Sequence, residues 1–117
     1  MMHFKRNRMK YFCKNNERDG GDYLEFRKGN LYSDEHWLDS SAYICEDAMY
    51  EIGLVDAVCS VISNFDTCGA PVCVSKKQWN MIKQNITNKD AFIAVEEISS
   101  WVDSNFIECD FFVIMGI

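Results

Sequence analysis

Ser33-Asp34-Glu35-His36 sets a hydroxyl, two carboxylates and an imidazole within four positions, the groups from which nucleophilic and general acid–base sites are built. Catalytic groups are normally brought together from distant chain positions, because immediate neighbours point in different directions. His36 therefore reads first as a first-turn or loop residue, and a small enzyme around it remains an alternative. The adjacent pairs Glu46-Asp47 and Glu96-Glu97 would leave different sides of a helix, so a solvated face explains them better than proton transfer. No Gly-x-Gly-x-x-Gly, phosphate-loop Gly-Lys-Ser/Thr or Gly-x-Ser-x-Gly occurs. No catalytic residue is assigned, and the chain is expected not to be an enzyme.

Cysteines stand at 13, 45, 59, 68, 73 and 109, an even number that would suit a disulfide framework. The basic start Met1-Met2-His3-Phe4-Lys5-Arg6-Asn7-Arg8 is not followed by the apolar region of about 7–15 residues that export requires. The expectation is a reducing, cytoplasmic setting in which these cysteines act as small hydrophobes. Cys68-Gly-Ala-Pro-Val-Cys73 is spaced more widely than a redox Cys-x-x-Cys, and His3 and His36 belong to no Cys/His cluster. No metal or cofactor is expected; a metal- or redox-responsive regulator built on Cys68 and Cys73 is a second alternative.

Charge is distributed unevenly. The 117 residues carry 12 Lys and Arg against 18 Asp and Glu, a formal net charge of −6. Residues 1–14 hold Lys5, Arg6, Arg8, Lys10 and Lys14 with no acid, whereas no Lys or Arg occurs from Gly29 to Ser75. That stretch contains Asp34, Glu35, Asp39, Glu46, Asp47, Glu51, Asp56 and Asp66. An acidic chain is a poor general nucleic-acid binder, which needs a basic face to displace counterions. It is a good attractor of basic partners, because a concentrated negative field speeds their encounter. The expected partner-binding residues are Asp34, Glu35, Trp37, Asp39, Glu46, Asp47, Glu51 and Asp56. Among the tryptophans, Trp79 and Trp101 read as core or half-buried, and Trp37, lying between acids, as an exposed anchor.

These residues must be positioned by a small number of elements. With 48% hydrophobic and 14% aromatic residues, and a single proline, the chain has the composition of one globular domain. Residues 1–8 read as a disordered basic extension and 9–117 as the domain. No apolar run exceeds the five residues of Phe111–Met115, far short of the roughly 20 that span a bilayer.

Strands are expected over Met9–Lys14 and Tyr23–Lys28, the latter alternating Tyr23, Glu25 and Arg27 with Leu24 and Phe26. Lys28-Gly29-Asn30 would turn into a third strand at Leu31-Tyr32. Ser40 or Ser41 would cap a long helix to about Asn64, with Ile44, Ala48, Ile52, Val55, Cys59 and Ile62 inward and Glu46, Asp47, Glu51 and Asp56 outward. Residues 64–71 have loop chemistry. Ser75-Lys76-Lys77-Gln78 matches a capping box and opens a helix that buries Trp79, Ile82 and Ile86. Asn88 would open a third helix, with Phe92, Val95, Ile98 and Val102 inward and Asn105 at its end. Ile107–Met115 would be a central strand. The fold class is α+β: an antiparallel sheet of about four strands, the N-terminal hairpin strands plus the C-terminal strand, packed against three helices.

Leu24-Glu25-Phe26-Arg27-Lys28-Gly29-Asn30-Leu31-Tyr32, Val74-Ser75-Lys76-Lys77-Gln78-Trp79-Asn80-Met81-Ile82, Trp101-Val102 and Phe112-Val113-Ile114-Met115-Gly116-Ile117 together resemble small acidic bacterial immunity proteins. These are the cognate neutralisers encoded beside polymorphic toxins, including those of contact-dependent growth inhibition. The resemblance spans most of residues 22–117. It implies a cytoplasmic, non-enzymatic protein that occludes the active site or substrate surface of a cognate toxin domain. That partner would be basic, with a nuclease as one case, and neither nucleic acid nor membrane would be contacted directly.

Overall fold

The computed structural model describes residues 9–30 and 37–116. The expected extension 1–8, the strand at Leu31-Tyr32 and the side chains of Asp34, Glu35 and His36 lie outside them. The fold is α+β, with a five-stranded sheet in the order β1-β3-β2-β5-β4 and every neighbouring pair antiparallel. The strands are β1 (Phe12–Cys13), β2 (Tyr23–Lys28), β3 (Ala42–Cys45), β4 (Val72–Ser75) and β5 (Phe111–Met115). The helices are α1 (Glu46–Glu51), α2 (Leu54–Cys59), α3 (Lys76–Gln84), α4 (Lys89–Glu97) and α5 (Ser99–Glu108), with one 3₁₀ turn at Asn15–Glu17.

The C-terminal strand β5 pairs with β2, matching Phe26 to Ile114 and Lys28 to Phe112, so it closes the sheet against an N-terminal strand. One sheet face gathers Phe12, Leu24, Phe26, Ile44, Val72, Val74, Phe112 and Ile114, which share a core with residues from all five helices. The centre is aromatic: Phe26 stacks on Phe112 at 5.7 Å, and Trp79 and Trp101 meet Phe112 edge-on at 5.3 and 5.7 Å. Such geometry is what ring quadrupoles favour.

The long helix expected from Ser40/Ser41 to Asn64 is instead a strand followed by two short helices. Ala42-Tyr43-Ile44-Cys45 pairs with β2 and is closed on both faces, an environment that overrides local helical spacing. Ser41 does not cap a helix, because its hydroxyl donates to Glu25 at 2.6 Å. The α1–α2 break falls at Gly53, with φ of 80°, the left-handed conformation in which a helix commonly ends at glycine. The inward and outward sides were nevertheless legible, since Ile52, Val55 and Ile62 are buried and Asp47, Glu51 and Asp56 exposed.

The expected third helix is also divided, at Ile98, where the Ser99 hydroxyl takes up the Glu96 carbonyl at 3.0 Å. Phe92, expected inward, is 48% exposed, and Ala91, Ala94 and Val95 fill the buried side instead. Helix α5 runs past Asn105 to Glu108, so Ile107 belongs to a helix end and the strand begins only at Phe111. The N-terminal strand is reduced from Met9–Lys14 to Phe12–Cys13, and β4 falls where no strand was expected. The capping box at Ser75 and Gln78 is present in both directions, at 2.9 and 3.1 Å.

Candidate functional site

Strand alternation sends Tyr23, Glu25 and Arg27 of β2 to the sheet face opposite the helices. Register adds Tyr43 of β3 and Met115 of β5 beside Glu25. This second face reads as polar and solvated, but at its centre it is buried. The Glu25 and Arg27 side chains are 3% and 5% exposed and form an ion pair at 3.2 Å.

The Glu25 carboxylate also accepts from the Trp37 and Leu38 N–H groups at 3.2 and 3.3 Å and from the Ser41 hydroxyl at 2.6 Å. The Tyr43 hydroxyl donates to the Leu38 carbonyl at 2.7 Å. Residues 37–41 are thus tied to the sheet through one buried acid. Burial is the largest influence on the Glu25 carboxyl and pushes its pKa up. The hydrogen bonds from Arg27, Ser41, Trp37 and Leu38 outweigh it together and leave the group below its ordinary value. The Tyr43 hydroxyl is pushed far up, first by burial and then by the Glu25 charge.

Trp37 leaves this strap with a φ of 64°, the one left-handed conformation of a non-glycine residue among the described residues, yet the residue is 41% exposed. Its carbonyl accepts from Asn15 Nδ2 at 2.7 Å, and the same amide reaches Asp39 Oδ1 at 2.9 Å. The Arg18 guanidinium, which donates from Nε and Nη2 to Asn15 Oδ1, lies 4.1 Å above the Trp37 ring and 5.3 Å from that of Tyr43. An open cleft of about 320 Å³ follows, lined by Arg18, Asp22, Tyr23, Trp37, Met115 and Gly116 with Glu25 at its back.

The lining of the cleft connects to the acidic helices through Asp22. Asp22 lines the cleft with a carboxylate that has no hydrogen-bond or ion-pair partner among the described residues, and its carbonyl accepts from the Glu46 N–H at 2.9 Å. Gly116 packs against the Thr67 carbonyl so closely that a Cβ would stand 2.6 Å from it. Thr67 in turn donates its hydroxyl to Glu46 at 2.6 Å. Beyond Glu46, Asp47, Glu51 and Asp56 project from α1 and α2 into solvent. The Cys59 thiol is pushed up in pKa by burial first, then by the charges of Asp56 and Asp66.

Of the eight expected partner residues, Asp34 and Glu35 lie outside the described residues. Trp37 and Asp39 share one Asn15 amide, Trp37 alone of the two lining the cleft, and Glu46, Asp47, Glu51 and Asp56 belong to the helices or their start. The contribution of Arg18, Asp22 and Tyr23 was not legible. A left-handed tryptophan and the arginine stacked on it arise from tertiary contacts, and the only local hint is the Gly20-Gly21 turn before Asp22.

All six cysteines are thiols, with Cys68 and Cys73 exposed. Among the described residues, no three His, Cys, Asp or Glu side chains come together as a metal site, and no helix is long and apolar enough to cross a membrane. Comparison with protein-family models, curated proteins and solved structures returned no match.

Proposed function

We propose that the chain is a cytoplasmic, non-enzymatic immunity protein that binds a basic toxin domain and occludes its active site or substrate surface. The observation that carries this reading is the surface of α1 and α2. Met49, Leu54, Val55, Ala57 and Val58 point into the core, leaving Asp47, Glu51 and Asp56 exposed, within a stretch that supplies no Lys or Arg from Gly29 to Ser75. The partners of the neighbouring acids are neutral: Thr67 for Glu46 and Asn15 for Asp39. Exposed carboxylates without an ion-pair partner among the described residues attract a cationic surface at long range, and this suits an inhibitor that must capture its target before the target acts.

The test is protection. The toxin domain encoded in the adjacent reading frame is expressed in cells with and without this chain, and the two proteins are then isolated together. Survival only in the presence of the chain, with a stoichiometric complex whose association slows as salt is raised, is the expected result. Toxicity unchanged by the chain would overturn the reading.

A further inference from the structure

We infer that the cleft lined by Trp37 and Asp22 receives an arginine side chain of the partner protein. The inference deepens the reading above and rests on it for the partner being basic. A bulky residue with positive φ is uncommon and is held only where its surroundings enforce it. At Trp37 they do so through backbone bonds to Glu25 and Asn15 and through ring contacts with Arg18 and Tyr43. Strain that served only packing would bury the residue, but two fifths of its surface remains accessible. The result is an aromatic plate fixed at the mouth of a cleft, so little side-chain freedom remains to be lost on binding.

Charge decides what fits. Asp22 in the lining has no hydrogen-bond or ion-pair partner among the described residues. Arg18 directs two nitrogens at Asn15 and spreads its charge against Trp37 and Tyr43. Tyr23, Met115 and Gly116 supply an apolar lining. A carboxylate facing aromatic surface is what a guanidinium needs, since its plane stacks while its edge pairs with two oxygens, which an ammonium cannot do. The incoming group would pair with Asp22 beside Tyr23, whose ring the Arg18 guanidinium approaches only to 6.0 Å, while Arg18 keeps its closer place on Trp37 at 4.1 Å.

The experiment is an NMR titration of the full ¹⁵N-labelled chain with nona-arginine and, separately, nona-glutamate. The Trp37 indole resonance is assigned by its loss in Trp37→Phe. Nona-arginine is expected to move the Trp37 indole and the Asp22 and Tyr23 amides while the Trp79 indole stays in place. Asp22→Asn, an exposed change that preserves the dispersed spectrum, should weaken the apparent affinity at Trp37 by about fivefold or more. Shifts confined to Asp47, Glu51 and Asp56 would overturn the cleft inference and leave the acidic surface as the basic-partner site. A larger response at Trp37 to nona-glutamate would overturn it too, placing an anion on Arg18, as would no response to either peptide. If the cleft responds as expected but the toxin test shows no protection, the arginine site stands and the immunity reading falls.

Discussion

Glu25 and Arg27 stand two residues apart on one strand, and their side chains meet at 3.2 Å on the sheet face that carries no helix, each at most 5% exposed. The pairing has a consequence beyond its own energy. Desolvating a carboxylate and a guanidinium is costly even when they face each other, so such a pair persists where further hydrogen bonds complete it. Here those bonds come from Trp37, Leu38 and Ser41. The acid that neutralises Arg27 is therefore also the anchor of the segment presenting Trp37.

Glu25→Gln should destabilise the protein by about 3 kcal/mol at neutral pH, because it removes a buried charge that faces Arg27 at 3.2 Å while keeping the side chain's size. The pH dependence follows from the lowered carboxyl pKa. A group whose folded pKa lies below its unfolded value contributes stability above the unfolded value, near 4.5, and loses it as pH falls through the folded one. Urea unfolding from neutral pH down to about pH 3 should show the gap between wild type and Glu25→Gln constant above about pH 4.5 and narrowing below it. A pH-independent gap would mean that the carboxylate charge is not what the fold uses.

Asn105, 1% exposed, bridges two turns: its Oδ1 accepts from the Gly29 N–H at 2.9 Å and its Nδ2 donates to the Phe111 carbonyl at 3.1 Å. Asn105→Leu would leave both backbone groups without this partner, at a cost of about 2–3 kcal/mol. Asn105→Asp keeps an acceptor for Gly29 but sets a buried carboxylate oxygen against the Phe111 carbonyl, and should be at least as destabilising as Asn105→Leu. Thermal unfolding of the three proteins orders them, and equal stability of wild type and Asn105→Leu would refute the bridge.

The same residue marks where sequence reading stops. Asn105 looks like a helix end, since asparagine in a helix competes for nearby backbone groups. Its actual partners lie 76 and 6 positions away, beyond the reach of any local pattern. Where the determining contact is local, the chain was legible: Ser75 and Gln78 cap each other, and Tyr23–Lys28 is the strand its alternation implies. The hidden cases share one cause. In Ala42–Cys45, apolar residues at helical spacing form a strand because β2 pairs with them, and Glu25 and Arg27 look like a wet strand face because alternation cannot report what covers it. For the site, the outward acids of α1 and α2 follow from helical period, whereas the cleft joins residues 18, 22, 37 and 115 by folding alone.

Glu97 of α4 is a further single-residue tie, its carboxylate accepting from the N–H groups of Lys10, Tyr11 and Phe12 at 2.7–3.3 Å. Strand β1 pairs only two residues with β3, so this clamp supplies much of what holds the N-terminal segment. Glu97→Ala should cost about 1.5–3 kcal/mol, the range for hydrogen bonds to a charged group. Amide exchange at Tyr11 and Phe12 should accelerate at least about tenfold, while the β2 and β5 amides keep protection relative to global stability. Uniform acceleration throughout the sheet would instead make β1 part of the cooperative core.

The acidic surface calls for kinetics, because exposed charges act on encounter more than on the bound state. Asp47→Asn, Glu51→Gln and Asp56→Asn remove three exposed negative charges and should leave folding stability within about 0.5 kcal/mol of wild type, as is usual for surface substitutions. Combined, they should slow association with the cognate toxin domain about tenfold at low salt, and by much less at physiological salt, where screening shortens the reach of the field to about 8 Å. Dissociation should change little. Asp22→Asn and Trp37→Ala should show the opposite pattern, accelerating dissociation with a weak effect on association, because a seated side chain acts after contact. Measuring both rates for the two sets at several salt concentrations separates long-range steering by α1 and α2 from short-range grip at the cleft. If the triple variant associates at the wild-type rate at every salt concentration, the carboxylates of α1 and α2 serve solubility and the partner approaches elsewhere.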